Sequence, residues 1–361
     1  MLAIYVHDLN PVIVEITDAI KIRWYGLAYL MAFVVGYFLL KWLADRKLWV
    51  LPGKVVGDFI AYAAVFGVFL GGRIGNVLIY QRQELLEDPL VIFRVWEGGM
   101  ASHGGILGLM IFTFVYARNK KVSWTGLGDG LCVVAPLGIM FGRLANFING
   151  ELYGRVDQGY AWAMKFPNAL WDGNTVEGTK PMLTQAAAAR ADKGGEYTEY
   201  YEKLINSSDA YLAGELPAGS QGLADFQVLA SQKAEMLNAA IRQNPDVKEA
   251  VAHYLEPRYP SQLFQAALEG FLLFLILFVV RLKFPKLANG VLTGLFFIFY
   301  AIFRISMEKF REPEIANLNM LGSEWTMGQF LSLFMILIGF GFIVKAKLGV
   351  KKGTLLHCTK Q

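Results

Sequence analysis

The chain has 361 residues, of which 55% are hydrophobic and 18% charged, with a formal net charge of +4. Its positive mean hydropathy excludes an ordinary soluble enzyme and points to a polytopic membrane protein, for which about 20 apolar residues make one crossing. The composition also argues against nucleic-acid binding, because no basic tract is interleaved with aromatics.

Residues 1–23 carry Asp8, Pro11, Glu15 and Asp18 and lack a basic start followed by an apolar core. They are expected to be a short external arm, not a cleavable signal peptide. Apolar segments follow at about 24–43, 58–79, 100–117, 129–149, 261–281, 289–308 and 326–345, which predicts an all-α membrane protein with seven transmembrane helices. Lys and Arg collect in one set of loops (41–54, 118–121, 281–286 and 345–360). Basic loops mark the cytoplasmic side, so the C-terminus is expected inside and the N-terminus outside. The expected organisation is an arm at 1–23, four helices with the catalytic core at 24–154, an external insertion at 155–258, three helices at 259–346 and a cytoplasmic tail at 347–361.

The first apolar segment opens Arg23-Trp24-Tyr25-Gly26. Trp and Tyr at that depth suit an aromatic belt, while Gly26 leaves Tyr25 open to another molecule. In the second segment Gly67, Gly71, Gly72 and Gly75 permit close helix packing. Arg73 lies among them, two turns from the outer end, where it either snorkels or faces inward beside Asn76. The third begins Ser102-His103-Gly104-Gly105. A lone intramembrane histidine is commonly a packing residue, but flanking glycines let a substrate reach the ring, and an ordinary pKa near 6.5 suits proton uptake.

The fourth segment ends in Gly142-Arg143-Leu144-Ala145-Asn146-Phe147-Ile148-Asn149-Gly150-Glu151-Leu152-Tyr153-Gly154. Arg143, Asn146, Asn149 and Glu151 stand where hydrocarbon is expected, and an unpaired charge at a bilayer centre costs about 2.5–3.5 kcal/mol on insertion scales. Arg143 and Asn146 share a helix face, and Gly150 is placed to end the helix and turn Glu151 back toward them. The cluster reads as a functional site inside the bundle.

Residues 155–258 hold no membrane-length apolar run. Leu223, Phe226, Leu229, Leu237 and Ile241 fall near helical spacing and predict an amphipathic helix. Ser261 behind Pro260 is a natural N-cap, so the motif reads first as structural, with Arg258 before it as a candidate functional residue. In the sixth segment Tyr300, Arg304, Glu308 and Arg311 share one face. Arg304 and Glu308 read equally as a self-neutralising pair and as a phosphate-binding arginine steadied by its carboxylate neighbour. Cys132 in the fourth segment and Cys358 in the tail form no disulfide framework and neither looks catalytic. The absence of His-Glu-x-x-His, Cys-x-x-Cys or an acidic cluster leads us to expect no catalytic metal and no cofactor.

On this topology Tyr25, Arg73, His103, Arg143, Asn146, Glu151, Arg304 and Glu308 all fall in the outer half of the membrane. A transporter site commonly lies at the midplane between inverted repeats, and no such repeat is visible; arginines beneath the outer surface suit an anionic lipid headgroup better. The motifs resemble those of the prolipoprotein diacylglyceryl transferase family. The resemblance runs through Trp24-Tyr25-Gly26, Gly71-Gly72-Arg73-Ile74-Gly75, His103-Gly104-Gly105, Gly142 to Gly154, Pro260-Ser261-Gln262-Leu263 and Tyr300 to Pro313. Departures are Tyr259 where relatives usually carry His, Phe264-Gln265 where they carry Tyr-Glu, and a longer insertion after Phe166.

The resemblance implies a multi-pass enzyme of the bacterial inner membrane with its active site toward the periplasm. Phosphatidylglycerol would donate its diacylglyceryl group to the lipobox cysteine of a preprolipoprotein, releasing glycerol phosphate. His103 is then the candidate base, and Arg143 and Arg304 the phosphate ligands. Asn146, Arg73, Tyr25, Gly104 and Gly154 are the further lipid-binding positions, supported by Glu151, Glu308 and Tyr300. Another enzyme acting on phospholipid headgroups, or an anion or lipid transporter, is the alternative.

Overall fold

The computed structural model describes residues 4–17, 20–94, 99–157, 162–170, 235, 238–243, 245–252, 255–312, 318–320 and 323–351. The arm forms a hairpin, β1 (Val12–Thr17) against β2 (Ile20–Arg23), antiparallel and pairing Val12 with Arg23 and Glu15 with Lys21. Lys21 and Glu15 also form an ion pair of 2.8 Å, the opposite-charge match that steadies a two-stranded ribbon.

Each apolar segment is helical. In chain order the helices are α1 (Trp24–Asp45), α2 (Gly53–Tyr80), α3 (Ser102–Lys120), α4 (Trp124–Asn149), the short α5 (Pro245–Ala252), α6 (Ser261–Lys283), α7 (Val291–Met307) and α8 (Met327–Lys351). Five of these, α1, α2, α4, α6 and Gly328–Leu348 of α8, are long and apolar enough to cross a membrane. The other two apolar segments give α3, with Arg118 and Lys120 in its last turn, and the 17-residue α7. Both α2 and α6 contain a π-helical stretch, Ala63–Phe69 and Ala266–Leu272, which apolar periodicity does not reveal. Such insertions shift the register of a helix face and recur near functional sites.

The chain divides into two compact units. The first comprises Met1–Leu27, Gly142–Gln265 and Met307–Glu314. Distant pieces of chain are sewn together there by isolated bridges, Val6 with Lys165, Gly154 with Arg311, and Arg258 with both Val156 and Met164. Ile241 is buried in this unit. Leu223, Phe226, Leu229 and Leu237 lie outside the described residues.

The second unit comprises Ala28–Phe141, Ala266–Ser306 and Ile315–Gln361. Its core gathers Leu40, Leu43, Trp49, Phe59, Leu127, Leu273, Leu277 and Leu292. Beside it the buried Asp129 accepts 2.8 Å bonds from the backbone N–H of Gly290 and from the N–H and hydroxyl of Thr293, which satisfies orphan donors at the start of α7. A short antiparallel ribbon, β3 (Leu318–Met320) with β4 (Ser323–Trp325), precedes α8.

Where α2 crosses α3, glycine is dictated by distance. A β-carbon on Gly75 would lie 2.5 Å from Gly104 Cα, and one on Gly104 would lie 2.5 Å from the Gly71 carbonyl oxygen. The two helices meet backbone to backbone, which only small residues allow.

Candidate functional site

In the first unit the site is built on the end of α4. Gly150 adopts φ +68°, which ends the helix as a left-handed C′ residue. The Gly150 N–H bonds the Phe147 carbonyl at 3.0 Å and the Glu151 N–H bonds the Asn146 carbonyl at 3.0 Å, the paired contacts of a Schellman turn. Leu152 is left-handed too, φ +55°, so Glu151 sits between two reversals. Its carboxylate returns to the helix and accepts from Asn146 Nδ2 at 2.7 Å and from Asn149 Nδ2 at 3.4 Å. Asn146 is only 5% exposed. The expected return of Glu151 toward Asn146 is what the turn produces.

Arg143 is half-buried, one turn before Asn146. Among the described residues it makes no hydrogen bond or ion pair, with Glu151 included, so its guanidinium is not neutralised by the carboxylate beside it. Tyr25 is half-buried in the first turn of α1, and Glu308 is buried just after α7. Gly154 is buried against neighbouring backbone; its N–H bonds the Tyr259 carbonyl at 2.8 Å, and a β-carbon there would strike the Phe310 carbonyl and Tyr259. Close chain crossing accounts for that glycine.

The turn is braced by Ser261, Gln262 and Arg258, from the motif around Pro260, and by Asn168, Asn238 and His7, which the sequence did not single out. Gln262, fully buried, donates Nε2–H to the Glu151 carbonyl at 2.7 Å, and the Ser261 hydroxyl donates to the Leu152 carbonyl at 3.0 Å. Asn168 Nδ2 donates to the carbonyls of Asn149 and Gly150 at 3.0 and 3.1 Å, and Asn168 Oδ1 accepts from Asn238 Nδ2 at 2.7 Å. An aromatic column runs from Phe147 to His7, Phe166 and Tyr153, with centroid spacings of 5.4, 5.5 and 5.3 Å, and the Arg258 guanidinium covers Tyr153 at 5.1 Å. Arg258 donates to the Gly154 carbonyl at 3.3 Å and to Glu312 at 3.1 Å. A helix-end carbonyl needs a donor, so polar residues flanking the motif elsewhere in the chain were the available signal.

Electrostatics outside the membrane-spanning helices concentrate at the arm. Burial pushes the His7 imidazole below its ordinary pKa. Burial and the Asp8 contact raise the Tyr5 phenol to about 12. Burial works to raise the Asp8 pKa, but hydrogen bonds from Lys248 and Tyr5, both 2.6 Å, outweigh it and hold the carboxyl low.

The second unit holds Arg73, His103, Gly104, Tyr300 and Arg304. Arg73 is 2% exposed and points Nε and Nη2 at the carbonyls of Ile92 and Val91, at 3.3 and 2.5 Å. It faces inward, and it ties down the turn Pro89–Phe93. His103 is exposed in the first turn of α3 and has no hydrogen-bond partner among the described residues. Gly104 lies in the α2–α3 crossing. Tyr300 stacks on Phe296 at 5.8 Å against the core, and Arg304 is half-buried in the last turn of α7. Among the described residues no group of three or more His, Cys, Asp or Glu could hold a metal ion.

Comparison with known proteins agrees across nearly the whole chain. The model of the prolipoprotein diacylglyceryl transferase family matches residues 11–345. A phosphatidylglycerol–prolipoprotein diacylglyceryl transferase of Bdellovibrio bacteriovorus is 39% identical, covering 94% of this chain and 93% of its own. Those of Erwinia tasmaniensis and Allorhizobium ampelinum are 36% and 33% identical, covering 92% and 94% of this chain and 90% and 91% of theirs. With a multi-pass helical architecture and the signature turn intact, this chain belongs to the prolipoprotein diacylglyceryl transferase family.

Proposed function

We propose that the protein transfers the diacylglyceryl group of phosphatidylglycerol to the cysteine thiol of a prolipoprotein signal peptide, a step of lipoprotein maturation. The thiolate forms a thioether with the glycerol carbon, and glycerol phosphate leaves. Family membership supports the reaction. The observation that carries the site assignment is Arg143, a half-buried guanidinium with no protein partner among the described residues, set one turn before the bonded Asn146–Glu151 pair.

Expulsion of a phosphate monoester needs donors fixed in advance at the developing charge. A planar guanidinium meets two phosphate oxygens at once, whereas an ammonium is a point charge. In this reading Arg143 and Arg304 bind the phosphate and Asn146 adds a neutral donor. Glu151 steadies Asn146, Glu308 supports its end of the chain, and Tyr25 contacts lipid. Arg73, Gly104 and Gly154 are the further lipid-binding positions, and Tyr300 is a supporting one. A thiol of pKa about 8.5 reacts as thiolate, and the exposed His103 is the base. Seven membrane crossings, an outer active site, an external N-terminus and residence in the bacterial inner membrane complete the reading.

The test is incubation of purified protein with phosphatidylglycerol labelled in its diacylglyceryl group and a lipobox peptide. Label on the peptide cysteine is the expected result. Labelled diacylglycerol or phosphatidic acid with no labelled peptide would indicate a headgroup hydrolase, and flux without covalent change a transporter.

A further inference from the structure

His7 belongs to no motif and has no part in the chemistry above, yet it is one of the most enclosed polar side chains of the first unit, 3% exposed. Its backbone is fastened by the His7 N–H to the Lys165 carbonyl at 2.8 Å. Its ring meets Phe147 edge-on at 5.4 Å and stacks on Phe166 at 5.5 Å. It also fills the space where a side chain on residue 150 would be: a β-carbon on Gly150 would lie 3.0 Å from His7 Nδ1 and 3.1 Å from Cε1. The Phe147 carbonyl already accepts the Gly150 N–H at 3.0 Å, and interaction with the Phe147 backbone works to raise the imidazole pKa against the effect of burial. His7 Nε2 is buried with no hydrogen-bond partner.

A hydrophobic ring would serve packing alone at this place, since Phe147 and Phe166 flank it on two sides. Burying an imidazole instead is unfavourable unless its polar edge is used. That edge lies on the turn whose geometry sends Glu151 back to Asn146.

We propose that His7 is a positioning residue of the transferase site: its ring, pressed on Gly150 and on the Phe147 carbonyl, locks the Asn149–Gly150–Glu151 turn and thereby holds the Glu151 carboxylate on Asn146. The proposal rests on the reading that Asn146 and Glu151 serve the reaction. It makes the external arm part of the active-site scaffold.

The test compares two variants of the full-length enzyme in phosphatidylglycerol nanodiscs, with kcat, KM for peptide and thermal midpoint measured for each. His7→Phe keeps the aromatic column and removes the polar edge, whereas His7→Asn keeps an amide donor near the Nδ1 position and removes the stacking. Positioning through the polar edge predicts that His7→Phe loses kcat about tenfold, the worth of one hydrogen bond of about 1.4 kcal/mol, with KM and thermal midpoint little changed. His7→Asn, though less stable, should recover most of kcat. The reverse order, an active Phe variant and an inactive Asn variant, would overturn the proposal in favour of packing. Repeating His7→Phe in a Glu151→Gln background gives a second arm: residues acting through one turn couple, so the kcat losses should be less than multiplicative. Multiplicative losses overturn the proposal as well. A fully active Glu151→Gln single variant would instead overturn the assignment of Glu151 on which the proposal stands, a result distinct from both.

Discussion

Two glycine-rich regions of this protein use the same residue for different physical ends. At the α2–α3 crossing, Gly71, Gly75 and Gly104 are needed because the neighbouring backbone lies within 2.5–2.8 Å of any added β-carbon. The contact is backbone against backbone. At the end of α4, Gly150 is needed because its φ is +68°, and the surroundings are polar side chains drawn from four distant stretches of chain. The first region sets how closely helices approach. The second sets the direction of one carboxylate. A functional motif and a packing motif therefore look alike in sequence and separate only by what each glycine meets.

The sharpest way to break this contrast is Arg143→Ala. With no protein partner to strand among the described residues, the loss should leave stability within about 0.5 kcal/mol while transfer falls about a thousandfold, the scale of removing a preorganised donor. Arg143→Lys should recover little of that loss, because a point charge lacks the fork. Thermal midpoint and label transfer measured on one preparation check both. A large fall in stability would put Arg143 in the structural class.

Gly104→Leu should behave in the opposite way. Forcing four carbons into a backbone contact costs about 3 kcal/mol or more, and the expected readout is failure to accumulate as folded protein in the membrane. Normal accumulation would show that the crossing yields. Gly150→Ala is expected to lie between the two. A left-handed L-residue costs about 1–2 kcal/mol, and its methyl would stand 3.0 Å from His7. Activity should fall further than stability, since the turn aims Glu151.

The smallest expected effect is on pH dependence. Burial depresses the His7 pKa, with the nearby Asp8 working against that shift and Arg242 with it. The unfolded imidazole therefore takes up a proton more readily than the folded one. The corresponding stability is present above about pH 6.5 and is lost as pH falls below it. Wild-type thermal midpoint should drop more steeply from pH 7 to pH 5 than that of His7→Asn, by about a degree or two for a fraction of a kcal/mol. Parallel curves would show that His7 does not titrate in this window.

Much of the architecture was legible in the residue order. Apolar runs of bilayer length announce helices because backbone polar groups must be satisfied internally in hydrocarbon, and all seven runs are helical. The turn at Gly150 was legible too, since Asn-Gly-Glu after an apolar helix leaves few alternatives to a left-handed C′ residue. The π-helical stretches in α2 and α6 were not, because one extra residue per turn barely disturbs an apolar pattern. Nor could the sequence choose between roles for Arg73: snorkelling and inward-facing arginines share a spacing, and only the Val91 and Ile92 carbonyls decide it.

The sequence by itself determined the membrane character, the helices, the family signature and the placing of Arg143, Asn146 and Glu151 around one turn. These follow from local rules: hydrophobicity, helical period and the steric freedom of glycine act within a few residues. Only the tertiary structure decided what braces that turn. Gln262, Asn168, Arg258 and His7 are each more than ten residues from it, and nothing local to the turn points to them; they matter because carbonyls freed at a helix end need donors, and the donors come from whichever segment the fold brings alongside.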